Sequence, residues 1–200
     1  MKIVSTLEHY ERLIDEGNDP LQDPPVLQTY MNKWDGPVFF DALKAESKHV
    51  LEVGVGTGRI AKSVLHAGCQ SLVGIDISAK TLDRARANLS RFSNIDLVMA
   101  DIHDFVRPNT FDLAYSVLTF LHIEDKETAL SNIYNSLKNN GLFVLSVSKD
   151  DDWFDYGDRR IKLYPMEIDE YIHLFQSVGF QIQSIQETEG KYATIIIGKK

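Results

Sequence analysis

The chain reads as an α/β domain built on an open, mostly parallel sheet with helices on both faces. From residue 48 onward, short apolar runs that end in glycine or an acid alternate with amphipathic helical patterns. Leu142 to Val147 is a nearly continuous apolar run, as a parallel strand covered on both sides requires. The last two strand-like runs, about Gln181 to Glu187 and Tyr192 to Gly198, flank the turn Glu189-Gly190, and so close a turn joins only antiparallel neighbours.

The first core strand, His49 to Val53, breaks into Gly54-Val55-Gly56-Thr57-Gly58 before an amphipathic helix begins near Arg59. Glycine at alternate positions lets the backbone turn sharply and come into contact with a ligand, because no Cβ stands in the way. The N–H groups opening the next helix would face that ligand. This is a nucleotide-type loop at the carboxyl end of a strand. The dinucleotide fingerprint G-x-G-x-x-G would need glycine at 59, where Arg59 stands.

Leu72 to Ser78 reads as a second strand ending in Asp76, with Ser78 placed to cap a helix running to about Leu89. Asp76 follows Gly54 by 22 residues, close to the spacing that sets a carboxylate against ribose hydroxyls. An ionised carboxylate accepts from two vicinal hydroxyls, so the chemistry suits the place. Alternation of Ile95, Leu97 and Met99 marks a third strand ending at Asp101, and a fourth runs from Phe111 to about Ser116.

Glu52-x-Gly54-x-Gly56-x-Gly58, together with the acids closing the next two strands, resembles the class I S-adenosylmethionine-dependent methyltransferases. The resemblance covers about residues 48 to 200, including the terminal hairpin, which in that family inserts an antiparallel seventh strand. It implies a seven-stranded Rossmann-like sheet and S-adenosylmethionine as cofactor. Glu52 would fix the methionine amino group, with Gly54, Gly56 and Gly58 forming the loop. Asp76 and Ile77 would lie at the ribose, Asp101 and the Ile102 N–H at the adenine, and Ser116 at the edge of the site. The Asn/Asp-Pro-Pro-Tyr motif of enzymes acting on nucleobase or amide nitrogens is absent, since Ser116-Val117-Leu118-Thr119 occupies its place.

Two segments are expected to hold the substrate of a single domain spanning 1–200. Residues 1–47 read as a helical cap: a helix from Thr6 to about Glu16, then one from Val26 to Leu43 bent at Gly36-Pro37. The second is a lid loop at 149–165, long for a structureless connection and rich in Asp150, Asp151, Asp152, Asp155 and Asp158. Its aspartates do not fit a calcium loop, and a solvated acidic lid, or one attracting a cationic acceptor, is the expectation. Tyr30, Trp34 and Trp153 are the acceptor contacts to test. His122, after the fourth strand, is placed as a general base, and Tyr10 as a residue orienting the acceptor. A helix from Glu124 to about Lys138 and another from Glu167 to Val178 complete the pattern.

The 21 basic against 29 acidic side chains give a net charge of −8, which opposes non-specific nucleic-acid binding; Arg159-Arg160-Ile161-Lys162 is the one candidate basic patch. Cys69 is alone, so an intramolecular disulfide and a cysteine-based zinc site are excluded, and no metal is expected. The sequence starts without the apolar core of a secretory signal and holds no apolar run of roughly 20 residues. The expectation is a cytoplasmic monomer or homodimer that methylates a small molecule. A cofactor-binding module without turnover stands as the alternative, and a nicotinamide-dependent oxidoreductase is disfavoured by Arg59 and the hairpin.

Overall fold

A computed structural model describes every residue except Lys149 and Asp150. Its main sheet has seven strands: β2 (His49–Val53), β3 (Ser71–Asp76), β4 (Ile95–Met99), β5 (Phe111–Val117), β6 (Leu137–Val147), β9 (Gln181–Glu187) and β10 (Thr194–Lys199). Their order is β4-β3-β2-β5-β6-β10-β9, and β10 runs antiparallel to both of its neighbours. The other pairings, β2 with β3 and β5, β3 with β4 and β5 with β6, are parallel. This is the mostly parallel sheet with an inserted antiparallel strand that the sequence implies. From β2 the strand order runs outward through β3 to β4 and then returns to the other side of β2 at β5, so the carboxyl ends of β2, β3 and β5 open a crevice.

Helices cover both faces because consecutive strand residues point to opposite sides. Leu51, Val53, Phe143 and Leu145 pack with Ala129, Leu130 and Ile133 of α6 (Lys126–Ser136) and with Tyr171 and Phe175 of α7 (Ile168–Val178). On the other face, Val50, Leu72, Leu113 and Val144 meet Phe39 and Leu43 of α3 (Gly36–Leu43). Ile60, Ala61 and Val64 of α4 (Arg59–His66) and Leu82 of α5 (Ala79–Asn88) complete that layer. Each of the Val, Leu, Ile and Phe side chains here, fully buried, contributes about 1.5–3 kcal/mol.

Three expectations change. The helix before β6 ends at Ser136, not Lys138: Leu137 is already extended, and the left-handed Asn140 falls inside the irregular start of the strand. The N-terminal segment is not purely helical. It begins with β1 (Lys2–Val4), then α1 (Thr6–Asp15) and α2 (Pro25–Met31), with a single 3-10 turn before α3. Nor is 151–165 a structureless lid, since β7 (Trp153–Tyr156) and β8 (Arg159–Lys162) form a hairpin turning at Gly157, whose φ is +57°. The strand β1 adds to β8 in parallel, giving a small three-stranded sheet that joins the N-terminus to the hairpin. A three-residue strand carries too little period to be read from sequence. Asp150 of the expected acidic lid lies outside the described residues.

The hairpin is fastened to the N-terminal cap by charge. Arg159, 2% exposed, donates to both Glu16 carboxylate oxygens at 2.6 and 2.8 Å and through Nε to His9 Nδ1 at 2.9 Å. Arg12 holds Asp158, Arg160 holds Asp155 and Lys162 lies 3.3 Å from Asp152. The expected basic patch and these acids of the expected acidic lid therefore neutralise one another. Among the described residues no helix is long and apolar enough to cross a membrane.

Candidate functional site

Where β2, β3 and β5 end, a cavity of about 660 Å³ opens beneath the cap. The glycine loop forms its floor. Gly54 and Gly56 take φ values of +78° and +55°, a region that costs other residues roughly 1–2 kcal/mol. The two glycines serve different ends. A Cβ on Gly54 would sit 2.0 Å from Thr119 Oγ1, so this glycine lets the β5 loop close onto β2. A Cβ on Gly56 would meet nothing within 4 Å, so its space is left to a ligand. Gly58 is absent from the lining; a Cβ there would strike Leu89 at 2.7 Å, and its task is to seat α4 against the end of α5.

Asp76 and Ile77 line the cavity at the end of β3. The Asp76 carboxylate accepts from the Gly56 N–H and the Ser78 N–H, each at 3.0 Å, which ties the glycine loop to the strand end. Burial raises its pKa, and those N–H groups partly oppose the rise. Glu52 is 4% exposed and accepts a 2.7 Å hydrogen bond from the Tyr115 hydroxyl. Burial pushes its carboxyl up to about 8, although Tyr115 and Arg59 pull the other way.

Asp101 and Ile102 complete the far side. Asp101 Oδ1 accepts from the His103 N–H at 2.9 Å and lies 2.6 Å from His103 Nδ1. Burial works against charge on His103, but its hydrogen bonds to Asp101 and to the Asp125 carbonyl prevail and raise its pKa.

The roof brings the two expected catalytic residues together. The Tyr10 hydroxyl of α1 lies 2.8 Å from His122 Nε2, with the rings edge to face at 5.3 Å. Burial lowers the His122 pKa to about 4, and burial next to Asp76 raises that of Tyr10, so both are neutral near pH 7. Among the described residues, His122 Nδ1 is buried without a partner, and so is Thr57 Oγ1; both residues line the cavity. Buried polar atoms ordinarily find hydrogen bonds, so these two orphans mark where a polar ligand is needed.

Besides Gly58, four expected site residues lie elsewhere. Ser116 is fully buried, donates to the Val53 carbonyl at 2.8 Å and leaves the lining to Val117, Leu118 and Thr119. Strand alternation explains this, since neighbouring residues face opposite ways. Tyr30 and Trp34 pack on each other beyond the rim, and Trp153 lies on the hairpin near Arg160 and Lys162.

Other residues enter that the sequence did not single out. Arg59 lines the cavity and pairs with Asp35, which is fully buried, so it is no plain surface residue. Its place one step after Gly58 was the available signal. Lys126, 3% exposed, donates to the Ile123 and Tyr164 carbonyls, each at 2.6 Å, while the Tyr164 N–H donates to Leu121 at 2.8 Å. These three bonds clamp the His122 turn to the segment after the hairpin. Burial brings the Lys126 pKa down to about 8.

Comparison with known proteins agrees with this fold. A methyltransferase-domain family matches residues 51–145. The malonyl-[acyl-carrier protein] O-methyltransferase of Halalkalibacterium halodurans is 26% identical over 120 residues, covering 58% of this chain and 44% of that protein. The carboxy-S-adenosyl-L-methionine synthase of Shewanella loihica is 30% identical over 98 residues, 47% of this chain and 40% of its own. The chain thus spans about two fifths of the length of these curated relatives. A crystal structure of an S-adenosylmethionine dependent methyltransferase from Mesorhizobium loti superposes with a TM-score of 0.69 at 20% identity, over 84% of this chain and all of that one. With strand order, glycine loop and strand-end acids all in place, residues 51–145 carry a methyltransferase domain, on the fold of the S-adenosylmethionine-dependent methyltransferases.

Proposed function

We propose that this protein transfers a methyl group from S-adenosylmethionine to a small-molecule acceptor by in-line displacement. The observation that carries the reading is the cavity itself. Its floor is a glycine loop with open space over Gly56, its side holds Asp76 and Glu52, and its roof holds the Tyr10–His122 pair. About 660 Å³ falls within the range of sites for small ligands, and the cap and hairpin cover it as a small acceptor would need.

The cavity's donors and acceptors fit the cofactor. Asp76 would hold the ribose hydroxyls and Glu52 the methionine ammonium. Asp101 and the Ile102 N–H would face the adenine, and the unpartnered Thr57 hydroxyl offers a further polar contact. Bound there, S-adenosylmethionine supplies a methyl activated by its sulfonium. The protein's part is then alignment, an effect that can be worth about 7–11 kcal/mol. Tyr10 and His122 orient the acceptor from the roof, and α1, held down by the Arg159–Glu16 pair, keeps water out. Neutral His122 accepts a proton only from an acidic nucleophile, because burial has weakened it as a base. An acceptor that attacks as a neutral amine needs no base here at all.

The test is turnover of methyl-labelled S-adenosylmethionine against a panel of small amines, carboxylates and phenols, with Tyr10→Phe as comparison. Label transfer that falls in Tyr10→Phe while S-adenosylhomocysteine affinity holds is the expected result. Tight cofactor binding with no transfer to any acceptor would favour a binding module without turnover.

A further inference from the structure

Tyr30 and Trp34 leave the main cavity and meet a third ring, Tyr192, in the turn before β10. The Trp34 and Tyr30 rings lie 5.0 Å apart at 69°, and those of Trp34 and Tyr192 lie 5.8 Å apart at 56°. The Lys33 ammonium sits against this cluster, 5.0 Å from the Tyr30 centroid and 4.4 Å from that of Tyr192, and donates to the Tyr192 hydroxyl at 3.2 Å. Lys33 is half-buried, yet among the described residues no carboxylate lies within 4.0 Å of it. A cation is held here by ring faces, not by an opposite charge.

We propose that Tyr30, Trp34 and Tyr192 form a binding site for the alkylated ammonium group of a small molecule, and that Lys33 occupies it as a stand-in. The ring quadrupoles attract any cation placed over their faces. A lysine ammonium is strongly hydrated and brings three N–H donors that need partners. A tetraalkylammonium brings none, so it loses less on leaving water for an aromatic wall. Tyr30 and Tyr192 are 49% and 43% exposed, which leaves the rings open to a ligand.

The cage stands beside the main cavity. Ser146 of β6 donates to the Trp34 carbonyl, Thr194 of β10 pairs with Val147, and Met31, next to Tyr30, lines the cavity. Lys33, tethered at an effective concentration on the order of millimolar, competes with any incoming cation, so its removal should unmask the site.

The test reads binding alone and is independent of methyl transfer. The sequence holds two tryptophans, so Trp153→Phe leaves Trp34 as the fluorescent reporter. In that background, Lys33→Ala should saturate with tetramethylammonium at a concentration at least about tenfold below that needed with Lys33 present. Adding Tyr192→Leu should abolish the response, and tert-butanol, similar in shape but uncharged, should give none. Calorimetry on the same variants covers the case in which Trp34 emission is insensitive. The proposal is overturned if Lys33→Ala shows no saturable binding by either method, or if tert-butanol matches the cation. A lower melting temperature in Lys33→Ala without gained binding would make the cluster a structural staple. A trimethyllysine peptide binding tenfold tighter than tetramethylammonium would overturn the small-molecule assignment.

Discussion

Glu52 closes β2 beneath the glycine loop, 4% exposed, and burial pushes its carboxyl up to about 8 even though Tyr115 donates to it. At pH 7, one unit below that value, about ten molecules carry a protonated Glu52 for each ionised one. The methionine ammonium of S-adenosylhomocysteine would favour the ionised form, so binding at pH 7 should release about nine-tenths of a proton. At pH 8 the release should fall to about one-half, because half of Glu52 is already ionised. Ionising it at pH 7 costs about 1.4 kcal/mol of binding energy. Affinity should therefore tighten about tenfold from pH 6 to pH 7 and level off above pH 8. Titration calorimetry in buffers of different ionisation enthalpy reads the proton count from the slope of observed heat. Glu52→Gln keeps the shape and can still accept from Tyr115, but it should give a slope near zero and a flat pH profile. A wild-type slope near zero, or one that survives in Glu52→Gln, would refute both the pairing and the buried-acid argument.

Asp76→Ala should weaken S-adenosylhomocysteine at least about a hundredfold, since two hydrogen bonds to a charged acceptor are worth about 1.5–3 kcal/mol each; calorimetric affinity within a few-fold of wild type would remove the ribose role. Gly54→Ala and Gly56→Ala should part company, because the first drives a Cβ to 2.0 Å from Thr119 and the second meets open space. Melting temperature should collapse in Gly54→Ala, whereas Gly56→Ala should stay folded and lose ligand; the opposite pattern would contradict the loop assignment. His122 has its pKa lowered to about 4, so turnover at saturating cofactor that depends on the neutral ring should be flat above about pH 5 and fall below it. A rate that instead titrates near 6.5 would show that His122 is not buried as the geometry has it.

The glycine loop, the strand-end acids and the terminal hairpin were legible because each follows from local backbone rules. Positive φ at Gly54 and Gly56 needs glycine, a strand that reaches a site ends where its apolar run ends, and a short turn forces antiparallel pairing. The family resemblance then suggested the cofactor roles proposed for Asp76, Asp101 and Glu52. Ser116 shows where this stops. Lying on the right strand places a residue near the site, but the face it shows is set by register, and here it turns to Val53.

What the sequence by itself determined, then, is the sheet, the glycine loop and the strand-end acids of the crevice, since period and glycine placement act over a few neighbouring residues. Tertiary structure alone decided how the roof of the crevice is assembled. Tyr10 meets His122 across 112 positions, Arg159 reaches Glu16 across 143, and β1 finds β8 at the other end of the chain. Such contacts join residues far apart in sequence, and no local pattern records a partner that only the folded chain brings near.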